Sequence, residues 1–128
     1  MNRYGTLAMG MLAGAALGAA AVNGLHAQNK APGAYVVVDL SEISNRDLFQ
    51  TLLPKAEPAM TAFGGKFVIR TENIVALDGT PPKRFVVIAF DSVEKAKAWD
   101  ASPAQREIAD IRQRSTKSRQ FVVDGTIQ

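Results

Sequence analysis

The sequence predicts an α+β domain of order βαββαβ, an antiparallel sheet with helices on one face. Three observations carry that expectation: short β-branched runs alternating with period two, helix start signals between them, and the absence of an internal repeat. Ala34 to Leu40 (AYVVVDL) is β-branched and flanked by polar residues, which marks a strand. Ser44-Asn45-Arg46-Asp47 then offers an N-cap with an acid in the first turn, and Leu48, Leu52 and Leu53 follow at helical spacing. A helix therefore starts near Asn45. Pro54 and Pro58 remove backbone donors from its path, predicting a break or kink and a second helical piece near Glu57 to Phe63, closed by Gly64-Gly65. Lys66 to Leu77 reads as one long strand with a bulge or bend where Thr71-Glu72 separates two apolar runs. Asp78 to Pro82 is a turn into a third strand, Arg84 to Phe90. Ser92 caps a helix with Val93, Ala96 and Trp99 on one face. Ser102-Pro103-Ala104-Gln105 is a capping box opening a last helix, whose buried stripe is Ala104, Ile108 and Ile111. Gln120 to Asp124 is the fourth strand.

Right-handed crossovers for the two β-α-β units, with an antiparallel hairpin between them, give the split β-α-β or ferredoxin-like sheet with the first and third strands central. On those strands Val36, Val38 and Leu40 oppose Tyr35, Val37 and Asp39, while Val86, Ile88 and Phe90 oppose Phe85, Val87 and Ala89. Both faces are largely apolar, and the helices cover only one. A second copy of the chain packed sheet on sheet covers the other, so a homodimer is expected.

Met1 to Ala27 has the grammar of a secretory signal: Arg3, an uncharged Ala/Gly/Leu/Met run from Leu7 to Val22, and Leu25-His26-Ala27 before the expected cleavage. The run falls short of the roughly 20 residues that span a bilayer. The expected organisation is a signal peptide at 1–27, a flexible lead-in at 28–33 and one domain at 34–128, exported to the periplasm or the extracellular space and free of the membrane after cleavage. The leader would take the only histidine, His26, with it, and the chain has no cysteine. That excludes Ser-His-Asp and Cys-His catalysis, thiol redox chemistry, His/Cys zinc sites and His-ligated haem from the mature domain. No metal site and no cofactor are expected. Only Arg3 lies in the leader, leaving 14 Lys/Arg against 12 Asp/Glu. Arg106, Arg112, Arg114, Lys117 and Arg119 cluster late, but Glu107 and Asp110 interrupt them and no aromatic is interleaved, so they read as a solvated helix face and not a nucleic-acid surface.

Tyr35-Val36-Val37-Val38, Pro58 ahead of Gly64-Gly65, Arg70, Leu77 with Gly79, Arg84-Phe85-Val86-Val87-Ile88, Phe90, Ser92, Ala98-Trp99, Ser102-Pro103 and Arg112 together resemble the domain of unknown function numbered 1330. The resemblance covers residues 34 to 125, and Ala98-Trp99 with Ser102-Pro103 is its most specific stretch. It implies a ferredoxin-like chain that pairs into a dimeric α+β barrel and no assigned activity. Phe63 stands where family members usually carry His and Ala89 where they often carry Glu, so a proton-transfer role at either position is absent here.

A site is expected on the sheet face away from the helices. Asp39, an acid at the end of a central strand, is the candidate general base, with Arg70 placed beside it by alternation as an ion-pair partner or oxyanion stabiliser. Tyr35, Arg84 and Trp99 complete the candidate ligand contacts, though Tyr35 and Trp99 also suit a core or interface and Arg84 a solvated strand end. Two functions follow. One is an exported, homodimeric binding or accessory module for a small apolar or aromatic ligand; the other is a cofactor-independent enzyme, monooxygenase- or isomerase-like, acting on a small carbonyl or phenolic compound.

Overall fold

A computed structural model describes residues 33–125; the expected leader, and the lead-in up to residue 32, lie outside the described residues. Strand β1 (Ala34–Ile43) is followed by helices α1 (Arg46–Gln50) and α2 (Leu53–Thr61), strands β2 (Lys66–Thr71) and β3 (Arg84–Phe90), helices α3 (Val93–Ala101) and α4 (Pro103–Ser115), and strand β4 (Thr116–Asp124). The sheet order is β2-β3-β1-β4 with every neighbouring pair antiparallel, so β1 and β3 are central as the ferredoxin-like order requires.

The caps act where the sequence places them. Asn45 accepts the Leu48 N–H at 3.0 Å, Ser92 accepts that of Lys95 at 3.1 Å and Ser102 that of Gln105 at 3.3 Å, each satisfying an orphan donor of a first turn. Pro54 sits in the first turn of α2, where its missing N–H costs no helical bond, and the helix runs on through Pro58. The break falls earlier than expected, at Thr51-Leu52. The Gly64 N–H bonds the Thr61 carbonyl and the Gly65 N–H that of Met60, with Gly64 at φ +78°, which is the Schellman ending.

Three expectations are corrected. Strand β2 stops at Thr71, because past Thr71↔Phe85 it has no partner on β3 and the Asn73 N–H turns back to the Thr71 hydroxyl; Val75 and Leu77 are 87% and 99% exposed. Strand β4 begins at Thr116, four residues before the expected start at Gln120, because Thr116 and Ser118 already alternate with exposed Lys117 and Arg119 against β1. Lys117 and Arg119 therefore stand on a strand and not on a helix face. In α4, Ala104 is exposed and Gln105 is buried in its place.

One face of the sheet, with Val36, Val38, Leu40, Val86, Ile88 and Phe90, packs on Phe49, Leu52, Met60, Ala96, Trp99 and Ile108 of the helices. Burial of each large apolar side chain here contributes about 1.5–3 kcal/mol. The Phe90 and Trp99 rings pack tilted with centroids 5.3 Å apart. Tyr35, Val37, Phe85, Val87 and Ala89 of the other face are only half-buried. No helix among the described residues is long and apolar enough to cross a membrane.

Candidate functional site

Register sets which side chains the helices cover. Phe67, Ile88, Val36 and Val122 form one row across the sheet, and Arg70, Val86, Val38 and Gln120 the next. Arg70 joins that row because Val68 is an extra residue: Phe67 pairs with Ile88 but Ile69 already pairs with Val87. A bulge of this kind reverses the facing of everything after it. Uninterrupted alternation predicts Arg70 beside Asp39 on the open face, and the structure corrects that pairing. The Arg70 guanidinium lies 4.4 Å from the Phe67 ring centroid on the helix side. Asp39 instead accepts a 3.0 Å hydrogen bond from Arg119 on neighbouring β4.

Between the sheet and the helices lies a cavity of about 200 Å³. Val38, Leu40, Val86 and Ile88 form its floor; Phe49, Leu52 and Ile108 form its roof. Exposed Arg70 and Leu53 mark its mouth. Its polar lining consists of Arg70, Arg84, Trp99, Gln105, Arg112 and Gln120, with no carboxylate or histidine among the described residues that line it. A wider hollow of about 400 Å³ beside Asp39, Pro81 and Arg119, and another of about 740 Å³ between α2 and α4, are larger, but neither is lined by a residue with an unsatisfied buried polar atom.

The residues lining the helix–sheet cavity carry three such atoms. Trp99 Nε1, Gln105 Oε1 and Arg112 Nε are buried without a hydrogen-bond partner, and all three residues line it. Trp99 and Gln105 are 3% and 2% exposed. Gln105 occupies the capping-box position yet its side chain does not return to the Ser102 N–H, which bonds the Trp99 carbonyl instead. The box is half closed because the amide is committed inward. Arg112 donates from Nη1 to the Gln120 side-chain oxygen Oε1 at 2.9 Å, and Gln120 Nε2 donates in turn to Asp100 at 3.0 Å. Asp100 is already paired directly with Arg106 at 2.8 Å, so Arg112 reaches that charge only through Gln120. Burial pushes the Arg112 guanidinium below its ordinary pKa; nearby Asp100 supports the charge and Arg106 opposes it.

At the rim, Glu72 from the β2–β3 loop takes both guanidinium nitrogens of Arg46, at 2.9 and 3.1 Å, and one from Arg84 at 3.2 Å. Both guanidiniums lie over the Phe49 ring, 5.9 and 5.6 Å from its centroid. Hydrogen bonds from Arg46 hold the Glu72 carboxyl below the usual carboxylate range, against a smaller desolvation effect. The Arg84 side chain is 13% exposed and lines the cavity, so it is not a solvated strand end.

The structure thus brings Arg70, Arg84 and Trp99 together at the cavity and leaves Tyr35 and Asp39 on the opposite face of the sheet. Sequence reasoning missed Gln105, Gln120 and the inward turn of Arg112. The signal for Gln105 and Arg112 was spacing: Gln105, Ile108, Ala109 and Arg112 recur at three to four residues, so two polar residues share the apolar stripe of α4.

No curated protein matches the sequence. Among solved structures, a protein of unknown function from Rhodopseudomonas palustris aligns with TM-score 0.58 and 17% identity, over 84% of this chain and 93% of that one. SnoaB, a cofactor-independent oxygenase from Streptomyces nogalater, aligns with TM-score 0.51 and 14% identity, over 74% of this chain and 94% of that one. These likenesses are of fold. The family model of the domain of unknown function DUF1330 matches residues 33–126, and the chain belongs to that family.

Proposed function

We propose that the domain binds a small apolar or aromatic molecule in the cavity between its sheet and its helices, and that it acts as an exported homodimer. The observation that carries the reading is an apolar-walled cavity of about 200 Å³ whose polar lining provides donors and cations. An engineered apolar cavity of about 150 Å³ in another protein holds benzene, so the volume suits one substituted ring. Trp99 is the sole tryptophan of the chain and lines the cavity, which makes its emission a direct reporter. Toluene is expected to perturb that emission saturably, and Ala56→Phe, which places a ring at the half-buried cavity wall, is expected to weaken the response at least tenfold. Toluene without effect on wild-type emission would overturn the reading.

The remaining parts rest on other features. The leader-like segment at 1–27 supports export, tested by the intact mass of protein recovered from its producing cell: the mass of a chain starting at Gln28 supports it, and that of the uncleaved chain overturns it. The apolar open face of the sheet supports pairing with a second copy.

A second reading, a cofactor-independent enzyme, draws support from the fold shared with SnoaB. Oxyanion stabilisation is available from Arg112 and Trp99, but the candidate base Asp39 lies across the sheet and is paired with Arg119. Binding is therefore the reading favoured, and turnover would require a substrate already ionised in water. Oxygen uptake or product formation from such a phenol or β-diketone, abolished by Ala56→Phe, would reverse that preference.

A further inference from the structure

Resting on the cavity as the ligand site, we infer that its ligand is a single-ring carboxylic acid bound as the anion, with the carboxylate on Arg112 and Trp99 and the ring against Phe49 and Ile108. Buried polar groups almost always find partners, and here Trp99 Nε1, Gln105 Oε1 and Arg112 Nε have none, each on a residue that lines the cavity. A single water takes up roughly 30 Å³ of liquid volume. The cavity is several times larger and its walls are mostly aliphatic or aromatic, so water alone leaves most of it filled at the expense of apolar contact. A ligand that satisfies the donors must therefore also carry an apolar body.

Charge selects the ligand's polar group. Arg112 is a guanidinium without an ion-pair partner among the described residues, held by one hydrogen bond to a neutral amide. Guanidinium does not deprotonate in proteins, so its partly buried charge calls for an anion and not for a neutral acceptor. Nothing acidic in the lining competes with one, because Glu72 and Asp100 are engaged outside it with Arg46, Arg84 and Arg106. A carboxylate oxygen accepts from Arg112 Nε and from the Trp99 indole. Gln105 can present either its carbonyl or, with the amide turned, its NH2 to whatever edge of the ligand faces it.

Calorimetric titration with benzoate and with nitrobenzene, its neutral counterpart of the same shape, separates charge from fit. Wild-type protein is expected to bind benzoate at least tenfold more tightly than nitrobenzene. Arg112→Met is expected to lose about 10- to 100-fold in benzoate affinity while keeping nitrobenzene binding, which also shows that the variant is folded. Trp99→Phe, which keeps a ring and removes the indole donor, is expected to lose about 5- to 10-fold for benzoate alone. Nitrobenzene binding as tightly as benzoate to wild type, or benzoate preference surviving in Arg112→Met, overturns the carboxylate inference and leaves the cavity reading intact. Failure of both probes to bind overturns the two together.

Discussion

Gly64 and Gly65 are adjacent but constrained by different physics. Gly64 has φ +78° and open space around it, the nearest atom to an added Cβ being Asp91 Oδ2 at 4.0 Å. Alanine there meets backbone strain alone, about 1 kcal/mol. At Gly65 a Cβ would lie 2.5 Å from Met60 Cγ and 2.8 Å from the Phe90 ring, which is 1% exposed and packed at a tilt against Trp99. Gly65→Ala is therefore expected to destabilise by about 1–3 kcal/mol through overpacking. Urea denaturation compares the two costs, and Trp99 emission distinguishes their origins. Gly65→Ala should shift the emission of the folded protein by displacing Phe90, whereas Gly64→Ala should leave it unchanged. Equal spectra for both variants would mean that the Met60–Phe90 contact yields without reaching the cavity.

At the scale of elements, the β2–β3 loop is tied to the body by the Glu72 carboxylate at its start and by the Lys83 N–H, which donates to the Leu40 carbonyl at 2.8 Å, at its end. Glu72 joins Arg46 of α1 to Arg84 of β3, and its side chain is 39% exposed, so solvent screening keeps the effect on global stability small. The local effect is larger, because past Thr71 the loop has no strand partner. Glu72 has its pKa lowered in the folded state, so its contribution is full above the ordinary carboxylate range and is lost as pH falls through the depressed value. Hydrogen exchange of residues 72–80, corrected for intrinsic rates, is expected to quicken as that value is crossed. Glu72→Gln should produce the fast exchange already at neutral pH. Unchanged exchange in the variant would show that the loop is held by something other than the clamp. The loop also marks where sequence reading stopped. Alternating Val36, Val38, Val86 and Ile88, and the caps Asn45, Ser92 and Ser102, announced their elements because burial and capping act over a few residues. One extra residue does not announce itself: Val68 is 54% exposed and fits a regular strand as well as a bulge, yet it decides the facing of Arg70. Gln105 and Arg112 were hidden for a related reason, since a polar residue on an apolar stripe has meaning only once the space it faces is known. Trp99, Arg84 and Arg70 were legible as candidates by residue type, while their meeting place was not.

For the whole molecule, the open face of the sheet decides the state of assembly. Register places Ile69, Val87, Val37 and Phe121 in one row across the four strands, with Ala89, Tyr35 and Val123 beside it. Ile69, Phe121 and Val123 are 42%, 43% and 40% exposed, so the row is unfinished at its edges as well as half-buried at its centre. Of the charges next to it, Asp39 and Arg119 are paired with each other, while exposed Lys66, in register with Ala89, stands at the β2 edge. A second copy can meet this face with the long Lys66 side chains reaching out to water at the rim, burying the same patch on both sides as a two-fold interface does. Phe121→Glu tests the pairing with little cost to the single chain, because an exposed edge-strand position typically changes stability by about 0.5 kcal/mol or less. Across a two-fold interface it would place two unpaired carboxylates in an apolar layer. Native mass spectrometry is expected to show the wild-type domain as a dimer and Phe121→Glu as a monomer with unchanged thermal stability at low concentration. Since the cavity lies on the opposite side of the sheet, the monomeric variant should still bind toluene. A monomeric wild type would overturn the pairing and leave the open face to another partner; loss of toluene binding on monomerisation would mean that the second copy braces the helix-side cavity through the shared strands.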